Sequence, residues 1–247
     1  MNKEDTSPSE ADFVSLLALV QAGKVVEAIS IVEAIPNPMD AAVAFMELSK
    51  QVYRELQDIS SMVALGNAGT QFALLKAASS ENSADAARLR TYAKTLAFNT
   101  AANCWPGWGD AGIDIKKHHM QAGLKLAMLC RDLVVELNLG HKPCGTAHWL
   151  IGALDLAMGQ YAEALAELQR SKVEFQAVGD SDCVLMAEGY VALTLKAQPE
   201  SRVAGDHELA RILPLLGNRG SKDAQFFANQ LITAERVLIG ASLSDVC

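Results

Sequence analysis

Aromatic residues and long apolar runs are both scarce in this sequence. Only 6% of its 247 residues are aromatic, whereas it contains 39 Ala and 31 Leu, two residues that favour helices over strands. Polar residues interrupt every apolar stretch before it reaches the roughly 20 residues that crossing a bilayer requires. The first ten residues, MNKEDTSPSE, do not resemble a secretory signal. The sequence therefore predicts a helical, cytoplasmic protein with no membrane partner.

Clustered positive charge is also lacking. The chain has 21 Lys and Arg against 29 Asp and Glu, a net charge of −8, and no segment gathers the cations needed to neutralise several phosphates. Its five cysteines are odd in number and form no CxxC pair, which favours reduced thiols over disulfides. Phosphate-binding loops, serine-hydrolase elbows and HExxH zinc motifs are absent as well. We expect no nucleic-acid partner and no cofactor.

Proline, which breaks helices, occurs seven times in the chain and is absent from residues 39–105. Apolar residues recur three and four positions apart in that interval, and polar clusters interrupt it, which predicts three long helices. We place them at about 38–57, 59–79 and 83–104. An irregular loop follows from Trp105 to about Ile115, and a further helix from Met120 to Leu139. Pro199 and Pro214 are expected to interrupt the C-terminal region.

Two short segments share a Gly, a Glu and an Ala at the same spacing. They are Ala22–Ile29 (AGKVVEAI) and Met158–Leu165 (MGQYAEAL). In each, an apolar helix leads into the glycine, a polar residue turns the chain, and a second helix begins whose small Ala allows close approach. The pattern predicts two helical hairpins. Their offset of 136 residues is four times the period of about 34 that is typical of tetratricopeptide repeats.

The second hairpin resembles the tetratricopeptide-repeat-like superfamily. The small and aromatic positions of that family match four residues, Gly152, Gly159, Tyr161 and Ala164. The sequence departs from the family pattern at His148, where the family has Trp, and at Asp155, where it has Tyr, and no proline closes the repeat near Gly179. The resemblance covers about 12–35 and 145–178. It implies a right-handed stack of antiparallel helical hairpins, a TPR-like α-solenoid, whose concave surface binds a protein or a peptide.

We therefore expect an all-α fold of about ten or eleven helices. Residues 1–9 are predicted to be a disordered leader, residues 10–240 the helical repeat domain and residues 241–247 a flexible tail. The concave groove of such a stack is either open to a partner or filled by the chain's own C-terminal helix. The sequence leaves both alternatives open.

Four carboxamides form the first candidate binding site: Asn67, Gln71, Asn99 and Asn103. Each pair is spaced four residues apart along its predicted helix, which places both amides on one face. A carboxamide both donates and accepts hydrogen bonds, as an extended peptide backbone requires. The alternative is that the amides bond to each other or cap local backbone within the stack.

Trp105 and Trp108 form the second candidate binding site. Beside glycines in the irregular loop, the two rings could offer apolar area to a protein or a peptide. Because tryptophan is highly buried on average, the alternative is that the rings fold back and cover a helix end.

A rival interpretation concerns metal binding. His141, Cys144 and His148 read H-x2-C-x3-H, and the last two lie four residues apart, as helical metal ligands do. His118 and His119 could supply another ligand if their helix packs alongside. The alternative is that all three residues have local structural roles, since no zinc signature is complete.

The function that follows is that of a non-catalytic protein- or peptide-binding scaffold or regulatory module, with a second copy of the chain among its candidate partners. The alternative is a metal-dependent or thiol enzyme on a helical frame that uses His141, Cys144 and His148. Metal content, and whether these three side chains converge, would distinguish the two.

Overall fold

The computed structural model describes residues 10–240, and within that range the chain forms eleven α-helices and no strand. The expected all-α fold and the number of helices are confirmed. None of the described helices has both the length and the apolar character needed to cross a membrane. The predicted leader, residues 1–9, and the predicted tail, residues 241–247, lie outside the described residues. The helices are α1 (Glu10–Gln21), α2 (Val25–Glu33), α3 (Pro38–Gln51), α4 (Ile59–Ala78), α5 (Ser83–Asn103), α6 (Lys117–Glu136), α7 (His141–Ala157), α8 (Tyr161–Ala177), α9 (Ser181–Ala197), α10 (Arg202–Gly217) and α11 (Lys222–Glu235).

The three long helices predicted before the tryptophan loop are present as α3, α4 and α5. Polar side chains fix where each begins: those of Asn37, Asp58 and Asn82 each accept a hydrogen bond from a backbone N–H in the first turn, at 2.9 to 3.0 Å. Such bonds satisfy N–H groups that have no partner within the helix. At its other end α3 continues through a π-helical turn, Val52–Leu56, and stops at Gln57, whose φ is 54°.

Proline acts as predicted at one site in the C-terminal region and not at the other. Pro199 opens a 3₁₀ turn, Pro199–Ser201, between α9 and α10. The expectation that Pro214 also interrupts the chain is wrong, because this residue lies inside α10. It falls in the last turn, where the helix loses only the one backbone bond that the missing N–H would have donated.

The chain divides into two compact units, each made of two separate stretches. Unit 1 contains the residues up to Cys104 together with Gln121–Leu137, and so includes α1–α5 and most of α6. Unit 2 contains Trp105–Met120 and the residues from Asn138 onward, and so includes α7–α11. The chain therefore enters unit 2 at the tryptophan loop, returns to unit 1, and then completes unit 2.

In unit 1, two glycines of α4 allow the neighbouring helices to pack against it at close range. A Cβ atom at Gly66 would lie 2.0 Å from Oγ1 of Thr100 on α5, and one at Gly69 would lie 2.6 Å from Cβ of Phe45 on α3. Phe45 and Thr100 are both buried. A side chain at either glycine would force the helices of this core apart.

Three glycines with positive φ turn the chain between consecutive helices in the same way. They are Gly23 (76°), Gly159 (76°) and Gly179 (69°). At each, the glycine N–H donates to the carbonyl three residues earlier and the following N–H donates to the carbonyl five residues before it, at 2.9 to 3.1 Å. This pair of bonds is a Schellman motif, in which glycine is favoured because it lacks a Cβ. The turns between consecutive helices that were predicted at Gly23 and Gly159 are confirmed.

In unit 2, α7 and α8 approach each other closely at the small residues that the sequence pattern singles out. A Cβ atom at Gly152 would lie 2.7 Å from Cγ of Leu168 and 3.1 Å from the carbonyl oxygen of Ala164. Both Ala164 and Leu168 are completely buried. The face of α7 that contains Gly152 is therefore the face that packs against α8.

Candidate functional site

The four candidate carboxamides lie on two helices of unit 1 that pack against each other. Asn67 and Gln71 are on α4 and Asn99 and Asn103 on α5; Asn103 is half-buried and the other three are exposed. Asn67 follows Gly66 on α4 and Asn99 precedes Thr100 on α5, and Gly66 and Thr100 are in contact. Asn67 and Asn99 therefore lie at the same level of the α4–α5 pair. Within the described part of the chain, the side chains of the four form no hydrogen bonds with one another. Their part in binding stays a prediction.

The tryptophan loop contributes to the core of unit 2. Trp105 is completely buried and Trp108 is half-buried. The ring centroid of Trp105 lies 4.9 Å from that of Trp108 and 5.8 Å from those of Trp149 and Tyr190. The Trp108 ring lies 6.4 Å from Phe226, which is 53% exposed. Trp105 therefore offers no surface to a partner in this conformation, whereas Trp108 lies between the core and a partly exposed phenylalanine.

Two of the histidines considered as metal ligands, His141 and His148, each contact a carboxylate on α8. Nδ1 of His141 lies 2.8 Å from Oε2 of Glu174, and Nδ1 of His148 lies 2.5 Å from Oε2 of Glu167. Among the described residues, no group of three or more His, Cys, Asp or Glu side chains is arranged to hold a metal ion. The structure therefore does not bring His141, Cys144 and His148 together as a ligand set.

Three of the cysteines are buried thiols. Burial raises the pKa of Cys104 to about 12, despite a backbone hydrogen bond from Gly123. Burial likewise raises the pKa of Cys130 to about 11 and that of Cys183 to about 12. A thiol with such a pKa is protonated at neutral pH, and the protonated form is a poor nucleophile. These three residues do not favour thiol catalysis.

A groove that the sequence did not predict lies in unit 2, on the side chains of α8, α9 and α10. We call it the α8–α10 groove, and its volume is about 160 Å³. The groove is lined by four apolar residues, which we call its floor, and by five polar residues, which we call its rim. The floor is formed by Val191, Ala192, Leu195 and Ile212, and the rim by Gln169, Lys172, Glu188, Glu208 and Arg211. Helix α11 does not line it, so the chain's last described helix does not fill this groove.

The charges on the rim of the α8–α10 groove are paired with one another. Oε1 of Glu188 lies 2.8 Å from Nζ of Lys172, and its Oε2 lies 3.2 Å from Nη2 of Arg211. Arg211 also contacts Glu208, at 2.9 Å. Burial raises the pKa of Glu188, but hydrogen bonds from Lys172 and Arg211 outweigh it and hold that pKa below its ordinary value. Glu188 is therefore ionised at neutral pH and pairs, from α9, with a cation of α8 and a cation of α10.

The size of the α8–α10 groove limits what it can bind. Pockets that bind cofactors and small-molecule ligands typically have volumes of about 300–1,000 Å³, and this groove has about 160 Å³. It has room for a single apolar side chain on its floor. Because the two cations and the two carboxylates of the rim neutralise each other, the rim imposes no net charge on an occupant.

Sequence reasoning missed this groove, although part of its signal was present. Val191 and Leu195 are spaced four residues apart on α9 and so share a face, as the helical period requires. Lys172 and Arg211 come from other helices, and nothing local to either residue shows that they flank the same carboxylate.

No protein-family model matches this sequence, and no curated protein was found that matches it. The resemblance to tetratricopeptide-like proteins therefore rests on the residues quoted above. The interpretation of the α8–α10 groove rests on its own residues and geometry.

Proposed function

We propose that this chain is a non-catalytic, cytoplasmic protein- or peptide-binding module of tetratricopeptide-like stacked hairpins, with the α8–α10 groove as a binding site. The observation that supports the proposal is the form of the groove. It has an apolar floor contributed by two helices, a rim of mutually paired charges, and a volume suited to one side chain. Its occupant is an apolar anchor residue of a longer polypeptide.

The energetics favour a polypeptide over a small ligand. Burying one side chain the size of Val or Leu stabilises a complex by about 1.5–3 kcal/mol, which corresponds to roughly a tenfold to hundredfold gain in affinity. This contribution alone is too small for specific recognition, so the occupant needs further contacts on both sides of its anchor. A peptide or a protein surface supplies them, and a second copy of the chain is one such partner.

The chemistry of the described residues is in keeping with a role in binding. The buried thiols have raised pKa values, and the two candidate histidine ligands are each held by a glutamate. An enzyme requires a group that is both reactive and reachable by substrate. The groove instead places its charged groups in pairs around an apolar floor.

A random-peptide display selection on the intact chain tests this function. Peptides enriched on the wild-type chain would be measured against Val191→Trp, which fills the floor of the groove, and against Val203→Trp as a matched control. Val203 is 84% exposed on α10 and does not line the groove. We expect affinity to fall at least about tenfold for Val191→Trp, since the anchor loses its apolar contacts, and to stay unchanged for Val203→Trp.

Both variants would be checked for native helix content by circular dichroism. Peptides that bind Val191→Trp as tightly as wild type would contradict a role for this groove. Failure to enrich any peptide on the wild-type chain, with a known peptide-binding domain as positive control for the library, would contradict the proposed function as a whole.

A further inference from the structure

The two residues of α7 that depart from the tetratricopeptide pattern are both ionisable, and both lie on the helix face that packs against α8. His148 precedes Gly152 by four positions and Asp155 follows it by three, spacings that keep all three on one face of a helix. Gly152 is the point of closest approach to α8. The family's large aromatic positions are therefore occupied here by groups that bind or release protons.

The facing side of α8 contributes carboxylates to the same cluster. Glu167 is 9% exposed and lies 2.5 Å from Nδ1 of His148 through Oε2 and 2.5 Å from Nη1 of Arg170 through Oε1. Glu163 lies one turn earlier on α8. Asp155 is only 4% exposed, and its carboxylate accepts no hydrogen bond from any described residue. The cluster thus contains one carboxylate, that of Glu167, which contacts His148 and Arg170, and one buried carboxyl, that of Asp155, which accepts no hydrogen bond from a described residue.

The electrostatic setting of Asp155 favours its protonated form. Burial is the main cause, and the negative charges of Glu163 and Glu167 add to it; together they raise the pKa of Asp155 from its ordinary value of 3.8 to about 7.

Helix α9 also packs against α7 and α8, and its acidic and basic side chains are engaged elsewhere. Asp182 pairs with Arg219, Glu188 with Lys172 and Arg211, and Lys196 with Asp206 and Glu235. None of these groups is among the causes that shift the pKa of Asp155.

We propose that the α7–α8 hairpin is a proton-responsive element, which is closed when Asp155 is protonated and loosened when Asp155 ionises beside Glu163 and Glu167. Ionisation of Asp155 places a negative charge beside those of Glu163 and Glu167, and no hydrogen bond from a described residue offsets it. The unfavourable free energy is relieved when the hairpin opens and water reaches the carboxylate.

The direction of the pH dependence follows from linkage. The pKa of Asp155 is raised in the folded state from its ordinary value of 3.8. The stability that this raised pKa contributes is therefore fully present when the pH is below 3.8, and it is lost as the pH rises through about 7. Above that range both states have released the proton, and no further change is expected from this group. The hairpin is therefore tighter under mildly acidic conditions than at neutral pH.

Hydrogen–deuterium exchange of the intact chain tests the proposal. The opening constant of the α7 and α8 amides, corrected for intrinsic exchange, would be measured for wild type and Asp155→Asn. We expect the wild-type opening constant to rise between about pH 5 and pH 7 by up to about tenfold per pH unit, which is the limit for release of one proton. Above about pH 7 the opening constant should level off. Asp155→Asn should show no such rise. Equal pH dependence in the two proteins would overturn the proposal.

A second pair of variants keeps the test decisive if Asp155→Asn does not fold. Glu163→Gln removes one neighbouring negative charge, and the exposed Glu200→Gln is its matched control. Carboxyl carbon NMR of Asp155 should show a titration midpoint near 7 in wild type and in Glu200→Gln, and a lower midpoint in Glu163→Gln. The pH at which hydrogen exchange of the α7 and α8 amides levels off should be lower in Glu163→Gln by the same amount. A midpoint near 4, or one that does not move in Glu163→Gln, would count against the proposal.

Discussion

Gly205 of α10 lies directly against the backbone of Lys196 on α9. A Cβ atom at position 205 would lie 2.3 Å from the Lys196 amide nitrogen and 2.7 Å from the carbonyl oxygen of Ala192. Both neighbours are main-chain atoms inside a helix, so neither can move aside as the end of a flexible side chain can. The α9–α10 pair, which lines the α8–α10 groove, depends on this glycine for its spacing.

We therefore expect Gly205→Ala to destabilise the chain by about 3 kcal/mol, the upper end of the cost of overpacking a tight core. Gly217→Ala is a matched control in the same helix, because a Cβ at position 217 would meet nothing within 4 Å. The control should leave stability unchanged or raise it by up to about 1 kcal/mol, since Ala favours the helical state. Urea denaturation of both variants measures the difference, and equal stabilities would contradict this account of the packing.

Trp105 is expected to stabilise unit 2 rather than to bind a partner. Replacing this completely buried ring by Ala should cost about 3–5 kcal/mol, as for other large core residues, and Trp108→Ala should cost less because Trp108 is half-buried. Thermal denaturation followed by circular dichroism gives the comparison. A Trp105→Ala variant as stable as wild type would show that the ring does not have this role.

Asp180 combines a helix cap with an ion pair. Its carboxylate accepts a hydrogen bond from the N–H of Cys183 at 3.1 Å and lies 2.6 Å from Nζ of Lys142. Asp180→Ala should cost about 1–2 kcal/mol, since a lost cap is worth about 1 kcal/mol. Lys142→Met, which keeps the cap, should cost less than about 1 kcal/mol because the pair is at the surface.

The effect of Asp180→Ala should also depend on pH. Burial raises the pKa of Asp180, but hydrogen bonds from Lys142 and from Cys183 hold it below its ordinary value. A lowered pKa means that the carboxylate stabilises the fold above its ordinary pKa and that this stabilisation is lost as the pH falls through the folded-state value. Denaturation curves should therefore show wild type to be more stable than Asp180→Ala at neutral pH. The two stabilities should converge at acidic pH.

The carboxamides of unit 1 are expected to be neutral for stability. Asn99 is exposed, so Asn99→Ala should change the free energy of unfolding by no more than about 0.5 kcal/mol, and the half-buried Asn103→Ala by little more. The same variants would be measured against any peptide selected on the wild-type chain. Lower affinity at unchanged stability would assign these amides to binding, and unchanged affinity would end that prediction.

Local patterns in the sequence were sufficient to predict the number of helices, the approximate bounds of α3, α4 and α5, and two of the turns. Asn37, Asp58 and Asn82 cap the helices that follow them through bonds to residues two or three positions away, and Gly23 and Gly159 turn the chain through bonds to residues at most five positions away. Interactions of this range depend only on neighbouring residues, and a short window of sequence contains them.

The distant residues that meet in the fold were not predicted, although burial of the tryptophan loop was one of the alternatives that the sequence left open. The burial of Trp105 requires Trp149 and Tyr190, and the α8–α10 groove requires Lys172 and Arg211 to meet at Glu188. The helical period shows which residues of one helix share a face, but it does not show which other helix that face meets. The candidate metal ligands show the same limit. His141, Cys144 and His148 have the spacing of helical metal ligands along α7, but His141 and His148 contact carboxylates on α8 instead.

The interleaving of the two units restricts how this protein can be dissected. A fragment that ends at Cys104 lacks residues 121–137 of unit 1, and one that begins at Asn138 lacks Trp105 of unit 2. Truncation at any one peptide bond therefore leaves at least one unit incomplete. Isolating either unit calls for a gene in which two non-adjacent coding segments are joined by a linker.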